Sequence, residues 1–217
     1  MPTVTALRAT RSGRVAVHLD GEYVASVSSA LLARHRLFAG RQLDAGEVAA
    51  IHDEVARERA LADAHRLLAH RPRAQRELAD RLAGKGHHQA VIADVVARLS
   101  AEGILDDHAF ATAYVADKRR LSGWGDERIR RELARLGVEP QVAAAALGPP
   151  QADDELARAQ AALRRHGPPR PPLEASRRRA YQFLQRRGFS GAVAYEAVNR
   201  WALSLPPLER PLPPPDG

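Results

Sequence analysis

The ten residues LARLGVEPQV (133–142) decide the fold, because their pattern L-x3-G-x4-V occurs three times in the chain. The pattern is found again as LAGKGHHQAV (82–91) and as LQRRGFSGAV (184–193), and each copy follows the previous one by 51 residues. We interpret each copy as a helix that ends at the glycine, where a positive φ costs nothing, followed by a second helix with an apolar face. Three matches at one constant offset predict an internal repeat.

A further helix is predicted upstream of each copy, over 58–70, 107–120 and 153–165, so that each repeat has three helices. A unit of this length cannot bury its apolar stripe alone, and we therefore predict an elongated tandem array in which neighbours cover one another. In the third repeat the proline-rich segment GPPRPPLEAS (167–176) separates the first helix from the second. The predicted segments are repeat 1 over 57–106, repeat 2 over 107–148, repeat 3 over 149–204 and a disordered proline-rich tail over 205–217.

The first 56 residues have a different pattern, with three short β-prone runs between residues 3 and 28. Asp20 and Gly21 separate the second run from the third, and Asp-Gly between such runs is a strong hairpin signal. A helix follows the third run, and DAGE (44–47) has the spacing of a capping box that opens another helix. The sequence thus predicts a mainly α protein, with a small β-meander plus helix as its N-terminal domain over 1–56.

The positive charge of the chain is unevenly distributed. The formal net charge is +7, and residues 1–56 contribute none of it, since they hold six Arg and six acidic residues. The excess lies in the region predicted to be helical repeats. A basic surface confined to one part of a protein indicates a polyanion or an acidic partner.

Several function classes are excluded or left without support by the sequence. The chain has no Cys, which removes disulfides, thiolate nucleophiles and Cys-based zinc sites. No apolar run approaches the roughly 20 residues of a membrane span, and the N-terminus lacks the apolar segment of a signal peptide, so we expect a cytoplasmic protein. We find no nucleotide-binding or hydrolase motif, and we therefore predict no catalytic residue, no metal and no cofactor.

One segment, AEGILDDHAF (101–110), places two adjacent aspartates beside a histidine. Such a group can supply metal ligands, half of an acid/base site or the start of a helix. Asp at a helix start accepts a hydrogen bond from an unpaired backbone N–H and suits the helix dipole. We can name no further ligands at convergent spacing, so we interpret Asp106, Asp107 and Phe110 as a structural junction between repeats.

The arginines of the middle helix of each repeat are the candidate binding residues. In DERIRRELARLG (126–137) the apolar residues follow a helical stripe, and three arginines at i, i+3 and i+7 fall on another face. The alternative is a solvated face with intrahelical pairs such as Arg128–Glu132. The predicted contacts are Arg73, Arg76, Arg128, Arg131, Arg135, Arg177, Arg178, Arg179, Arg186 and Arg187.

Three segments resemble the RecX family of regulators of the RecA recombinase. They are RAQRELADRLAGKG, ARLSAEGILDDHAFATAYVADKR and RIRRELARLGV, and the resemblance covers roughly residues 58–200. The chain departs from the family in the proline insertion of the third repeat, and its β-rich first segment lies outside the family's common core. Asp106, Asp107, Phe110 and Ala111 match the family's LDD..FA signature.

The resemblance implies a protein without catalysis that binds the RecA–single-stranded DNA filament, binds DNA weakly, and inhibits ATP hydrolysis, strand exchange and coprotease activity by RecA. Two alternatives remain open. One is a sequence-independent DNA-binding helical-repeat protein with no recombinase partner, which would bind naked duplex strongly. The other is a scaffold that docks a different protein, with neither DNA affinity nor an effect on RecA.

Overall fold

The computed structural model describes residues 1–149 and 152–203, and these residues are mainly helical. They form two compact units, Met1–Leu105 and a second unit that begins at Asp106. The elements are β1 (Val4–Ala9), β2 (Val15–Leu19), β3 (Glu22–Val27), α1 (Ser29–Arg34), α2 (Ala45–His70), α3 (Gln75–Ala83), α4 (Gln89–Ala101), α5 (Asp107–Asp117), a π-helical turn (Lys118–Ser122), α6 (Asp126–Arg135), α7 (Pro140–Leu147), α8 (Ala152–His166), α9 (Leu173–Arg187) and α10 (Gly191–Leu203).

The N-terminal strands form the predicted meander. The sheet has the order β1-β2-β3 with both pairs antiparallel, and Leu19 pairs with Glu22 across the Asp20–Gly21 turn. Both turn residues have positive φ, 49° and 90°, as the Asp-Gly hairpin signal requires. One face of the sheet packs on α1 and on the first turns of α2, and that core contains Val4, Val17, Val27, Leu31, Ile51 and Val55.

Helix α2 differs from the prediction, because the helix predicted to open at residues 44–47 and the helix predicted over 58–70 form one unbroken helix from Ala45 to His70. Its start is the predicted capping box, in which Asp44 and Glu47 satisfy each other's backbone N–H groups. No Gly or Pro follows until residue 72, so nothing in the sequence ends the helix at the 56/57 boundary. The front of α2 belongs to the core of the sheet, whereas its rear belongs to the core of repeat 1 through Ala60 and Ala64.

The repeated Leu–Gly pair has the same backbone structure in all three repeats. Gly86, Gly137 and Gly188 have φ of 87°, 83° and 83°, and in each repeat the residue after the glycine donates its N–H to the carbonyl of the repeated leucine. This bond is the 6→1 bond of a Schellman motif, which ends a helix at a glycine. The prediction of helical repeats after a small antiparallel sheet is thereby confirmed. The bonds are His87–Leu82 (3.3 Å), Val138–Leu133 (3.0 Å) and Phe189–Leu184 (3.2 Å).

Two helix ends of the second unit lie where the sequence does not place them. Helix α5 ends at Asp117, three residues before the predicted end, and the chain continues as the π-helical turn. The proline segment interrupts the third repeat as predicted, but α9 already begins at Leu173, directly after its last proline. The predicted tail over 205–217 lies outside the described residues.

Repeats 2 and 3 meet where the start of α6 faces the end of α9. Gly125 donates its N–H to the carbonyl of Arg187 (2.8 Å), and Glu127 donates to the carbonyl of Gly188 (3.1 Å). Unpaired N–H groups at one helix start thus satisfy unpaired carbonyls at another helix end, with opposed dipole charges. A Cβ added at Gly125 would lie well under 3.0 Å from the backbone of Gly188 and Phe189. The two repeats therefore approach each other backbone to backbone.

An ion-pair cluster closes the same junction. The carboxylate of Asp126 on α6 accepts two hydrogen bonds from Arg119 (3.0 and 2.7 Å) and one from Arg158 on α8 (2.8 Å). Arg119 also donates to the carbonyl of Leu147 at the end of α7 (2.9 Å). All three charged side chains are between 21% and 27% exposed. Asp126 on α6 thus joins the π-helical turn that follows α5 to α8, the first helix of repeat 3.

Candidate interaction surface

The predicted arginines of α6 lie on the face opposite its buried stripe. Ile129 and Leu133 are fully buried, and Arg131 and Arg135 are exposed to solvent. Arg135 pairs with Glu132 (2.9 Å), but its side chain remains 70% exposed. An exposed pair of this kind contributes little to stability and exchanges readily for another anionic partner.

Arg128 lies at the start of the same face, and its guanidinium is already in contact with other groups of the protein. Its guanidinium lies 4.0 Å from the centroid of the Trp124 ring, and it donates to the carbonyl of Arg186 across the repeat junction (3.4 Å). The Nζ of Lys118 lies 5.0 Å from the same ring. The Arg128–Glu132 pair considered from the sequence does not form, because Glu132 pairs with Arg135 instead. Arg128 therefore packs on the half-buried Trp124.

The predicted arginines of α9 divide in the same way. Arg178, Arg179 and Arg186 are exposed. Arg177 is half-buried beside Glu174 (3.3 Å). Arg187 donates to the carbonyl of Ser122 (2.8 Å) and stacks on Phe183, 4.7 Å from the ring centroid.

In repeat 1 the corresponding residues are different. Arg73 is only 10% exposed, and it pairs with Glu77 (2.6 Å) and donates to the carbonyl of Leu67 at the end of α2 (3.2 Å). Arg71 also pairs with Glu77. Arg76 is exposed. Arg73 therefore ties α3 to α2, which leaves it little surface to offer a partner.

The charge at equivalent positions of the three repeats explains why repeat 1 differs from repeats 2 and 3. The positions of Arg128, Arg131 and Arg135 on α6 are equivalent, 51 residues on, to Arg179, Gln182 and Arg186 on α9. In repeat 1 the same positions hold Glu77, Asp80 and Gly84. The equivalent face is thus basic in repeats 2 and 3 and acidic in repeat 1. We call the five exposed members of the second unit the arginine surface: Arg131, Arg135, Arg178, Arg179 and Arg186.

Asp106, the first of the two aspartates beside His108, has a structural role at the start of α5. Asp106 is the N-cap of α5, and its Oδ1 accepts from the N–H groups of His108 (2.8 Å) and Ala109 (3.0 Å). Phe110 packs beside Tyr114, with ring centroids 5.8 Å apart. Among residues 1–149 and 152–203, no group of three or more His, Asp or Glu side chains is arranged to hold a metal ion.

We expect Asp106→Ala to lower the stability of the second unit by about 1 kcal/mol, since two N–H groups at the start of α5 lose their acceptor. Urea unfolding followed by Trp fluorescence measures this, because both tryptophans, Trp124 and Trp201, lie in that unit. Asp117→Ala at the other end of α5 is the control. It removes only an exposed pair with Arg120 (3.5 Å), and its effect should stay within about 0.5 kcal/mol.

Comparison with known proteins identifies the family. Models of the first, second and third three-helix domains of RecX match residues 60–99, 106–147 and 152–198. The chain belongs to the RecX family. The regulatory protein RecX of Geobacillus kaustophilus is 32% identical over 203 residues, which cover 89% of this chain and 75% of that protein. RecX of Halorhodospira halophila is 40% identical over 126 residues, or 58% of this chain and 77% of that protein.

Solved RecX structures have the same fold. A crystal structure of regulatory protein RecX matches with a TM-score of 0.68 and 25% identity, and the match covers 92% of this chain and all of that one. RecX from Lactobacillus salivarius matches with a TM-score of 0.57 over 68% of this chain. The named relatives are regulatory proteins. In the part of the chain that the structure describes, no helix is long and apolar enough to cross a membrane.

Proposed function

We propose that the protein regulates the RecA recombinase by binding the RecA–single-stranded DNA filament in the cytoplasm, without catalysis of its own. Binding inhibits ATP hydrolysis, strand exchange and coprotease activity, and so restrains recombination and DNA repair. Membership of a family of regulatory proteins supports the regulatory part of the proposal. The observation that carries the binding part is the arginine surface, which has five exposed guanidinium groups on α6 and α9, with Arg135 and Arg186 at equivalent positions.

The chemistry of this surface suits a filament. Guanidinium groups bind phosphate and carboxylate oxygens through paired N–H donors, and they stay charged at any physiological pH. The junction at Asp126 and Gly125 links the two repeats that carry these arginines. A repeated cationic face fits a partner that itself repeats, such as regularly spaced phosphates or acidic groups on successive recombinase subunits. Contacts to phosphates would be independent of sequence and weaken with salt.

The second candidate is sequence-independent DNA binding without a recombinase partner. The same exposed arginines favour it, because phosphate recognition needs no more than cationic donors. It predicts tight binding to naked duplex DNA that RecA does not increase.

Replacing all five residues of the arginine surface by Gln tests the proposal. We expect the affinity for RecA filaments on single-stranded DNA to fall at least tenfold, since five charge-assisted contacts worth a few tenths of a kcal/mol each are lost. The fall should be largest at low salt. Fluorescence anisotropy of the labelled protein, titrated with filaments of the same species' RecA, measures it.

The matched control removes the same charge elsewhere. Its five substitutions, also to Gln, are at exposed arginines outside the surface, and it should bind filaments within about threefold of the unmodified protein. Equal losses of affinity in both variants would show that binding depends only on the net charge of the protein. Unchanged binding of the first variant would refute the assignment of the arginine surface as the binding site. The control residues are Arg8, Arg11, Arg98, Arg164 and Arg200.

A further inference from the structure

A basic cleft lies within the first unit, between the sheet and repeat 1. Its volume is about 870 Å³, and it is open to solvent. The sheet contributes Arg14 and Tyr23, and α2 contributes residues from His52 to Arg66. The turn between α3 and α4 contributes Lys85, Gly86, His87 and His88. No residue of the arginine surface takes part.

The two carboxylates in the cleft are both held by neighbouring groups. Glu58 accepts from Arg14 (2.7 Å) and from the hydroxyl of Ser28. Burial alone would raise the pKa of Glu58, but these hydrogen bonds and the Arg14 charge more than offset it, so the pKa lies below its usual value. Arg14 in turn donates to the carbonyl of Ser26 (2.8 Å), which fixes its guanidinium to the sheet.

Asp63 has three cationic or potentially cationic neighbours. His87 lies 2.9 Å from its carboxylate, Arg66 2.8 Å and Lys85 3.2 Å. The hydrogen bond with His87 is the largest cause of a lowered pKa at Asp63. The hydrogen bond from Lys85 and the charges of Lys85 and Arg66 lower the pKa further, and together they outweigh the opposite effect of burial. Asp63 is therefore ionised at neutral pH. It holds the Lys85 ammonium and the His87 ring at the wall of the cleft, where the ammonium keeps further donors for a ligand.

The net charge of the residues that line the cleft is positive. The lining has four permanent cations, Arg14, Arg59, Arg66 and Lys85, against the two paired carboxylates. Arg59 is exposed, and within residues 1–149 and 152–203 it forms no ion pair. Arg66 and Lys85 keep 74% and 46% of their side chains exposed. The cleft thus offers cationic donors that the protein itself does not fully use.

An exposed aromatic ring stands among these cations. Tyr23 is 58% exposed, and its hydroxyl lies 3.1 Å from the hydroxyl of Ser26. The His18 ring meets it edge-on, with centroids 5.9 Å apart. These contacts hold the side chain in place, and the residue remains more than half exposed to solvent. Aromatic rings beside a cationic groove are the usual platform for single-stranded nucleic acid, whose bases stack while its phosphates meet the cations.

We propose that this cleft is a binding site for single-stranded nucleic acid. Phosphates lie against Arg59, Arg66 and Lys85, and a base stacks on Tyr23. The exposed ring favours this ligand over an acidic protein segment, because carboxylates alone would leave the ring without a partner. The site does not depend on RecA, and it gives the first unit a role of its own beside the arginine surface of the second.

The first test measures binding of fluorescein-labelled oligo(dT) to the full chain without RecA. We expect the triple variant Arg59→Gln, Arg66→Gln, Lys85→Gln to lose about tenfold in affinity, and its salt dependence to fall by about 2 in the slope of log K against log[salt]. The control variant Arg57→Gln, Arg81→Gln, Arg98→Gln removes three exposed cations of the same unit outside the cleft, and its affinity should stay within about threefold of that of the unmodified chain.

A single substitution, Arg59→Glu, tests the site without changing the ion pairs of Asp63. It should weaken the binding of oligo(dT) at least as much as Arg59→Gln.

The second test maps the contact directly. Oligonucleotides containing 5-iododeoxyuridine cross-link to a stacked aromatic side chain on irradiation, and mass spectrometry of the digest should find the adduct on Tyr23. Tyr23→Leu should abolish that adduct. The proposal is overturned if the cleft variants bind like the unmodified chain while the arginine-surface variant loses binding, or if adducts map only to the second unit. Oligo-glutamate of equal charge competing as well as oligo(dT) would also overturn it, in favour of an acidic protein segment.

Discussion

Gly188→Ala is expected to lower the free energy of unfolding of the second unit by about 3 kcal/mol, the sum of a backbone and a packing cost. Gly188 has φ of 83°, a conformation that costs an L residue about 1–2 kcal/mol. The new Cβ would also lie under 3.0 Å from the backbone N and Cα of Arg128. Backbone atoms cannot turn aside as a flexible side chain can, so α6 and α9 would have to separate and lose their two joining hydrogen bonds.

Substitutions at two other glycines measure the backbone cost and the packing cost separately. Gly86 has the same role in repeat 1 with φ of 87°, but a Cβ there meets nothing within 4 Å, so Gly86→Ala should cost only about 1 kcal/mol. Gly125 has an ordinary φ of −78° and the close approach to Gly188, so Gly125→Ala should cost about 2 kcal/mol from packing alone. Urea unfolding followed by circular dichroism, with Trp fluorescence for the second unit, gives all three values. Equal costs for Gly188→Ala and Gly86→Ala would contradict the backbone contact between the repeats.

Asp126→Asn is the second large effect, with an expected loss of about 2 kcal/mol. Breaking a buried ion pair costs about 3–5 kcal/mol, and the partial exposure of these side chains reduces that figure. The amide can accept from one arginine, but it lacks the charge that holds both Arg119 and Arg158. Because Arg119 and Arg158 belong to different repeats, the variant should loosen the junction as well as lower stability.

Hydrogen exchange of the α6 and α9 segments measures this loosening, and urea unfolding by Trp fluorescence measures the stability. Glu132→Gln is the matched control on the same helix, since its partner Arg135 is 70% exposed. That change should stay within about 0.5 kcal/mol. An Asp126→Asn protein as stable as the control would mean that the cluster adds nothing to the junction.

The repeats could be predicted because their signals are local. A helix end needs a residue that accepts positive φ, and the recurrence of Gly86, Gly137 and Gly188 at one offset exposes the repeat directly. The continuity of α2 could not be predicted in the same way. Its front packs on the sheet and its rear on repeat 1, and a helix shared by two cores has no boundary in its sequence.

The repeat junction was missed because its contacts join residues far apart in the chain. Arg158 lies 32 residues from Asp126, and no local spacing connects them. One signal for the close approach was present, since Ala74, Gly125 and Ser176, all small and all buried, recur at the same offset of 51. Small residues at one position of every repeat indicate close packing there.

The sequence indicates which arginines lie on the helix faces, but it does not indicate which of them are exposed for binding a partner. Periodicity places arginines on a helix face, but it does not show which guanidinium groups the protein already uses. Arg73, Arg128 and Arg187 pair or stack within the fold, whereas Arg131 and Arg179 face solvent. The cleft residues Arg59 and Lys85 were not predicted at all, because the fold alone brings them to one place.

The central claim, regulation of RecA through the arginine surface, is tested most directly by the single-stranded-DNA-dependent ATPase rate of the same species' RecA. Substoichiometric amounts of the unmodified protein should lower the rate markedly, and the five-arginine variant should need at least tenfold more protein for the same effect. The control variant should act like the unmodified protein. No change in the rate at stoichiometric amounts, together with tight binding to naked duplex DNA, would contradict the account and favour DNA binding without a recombinase partner.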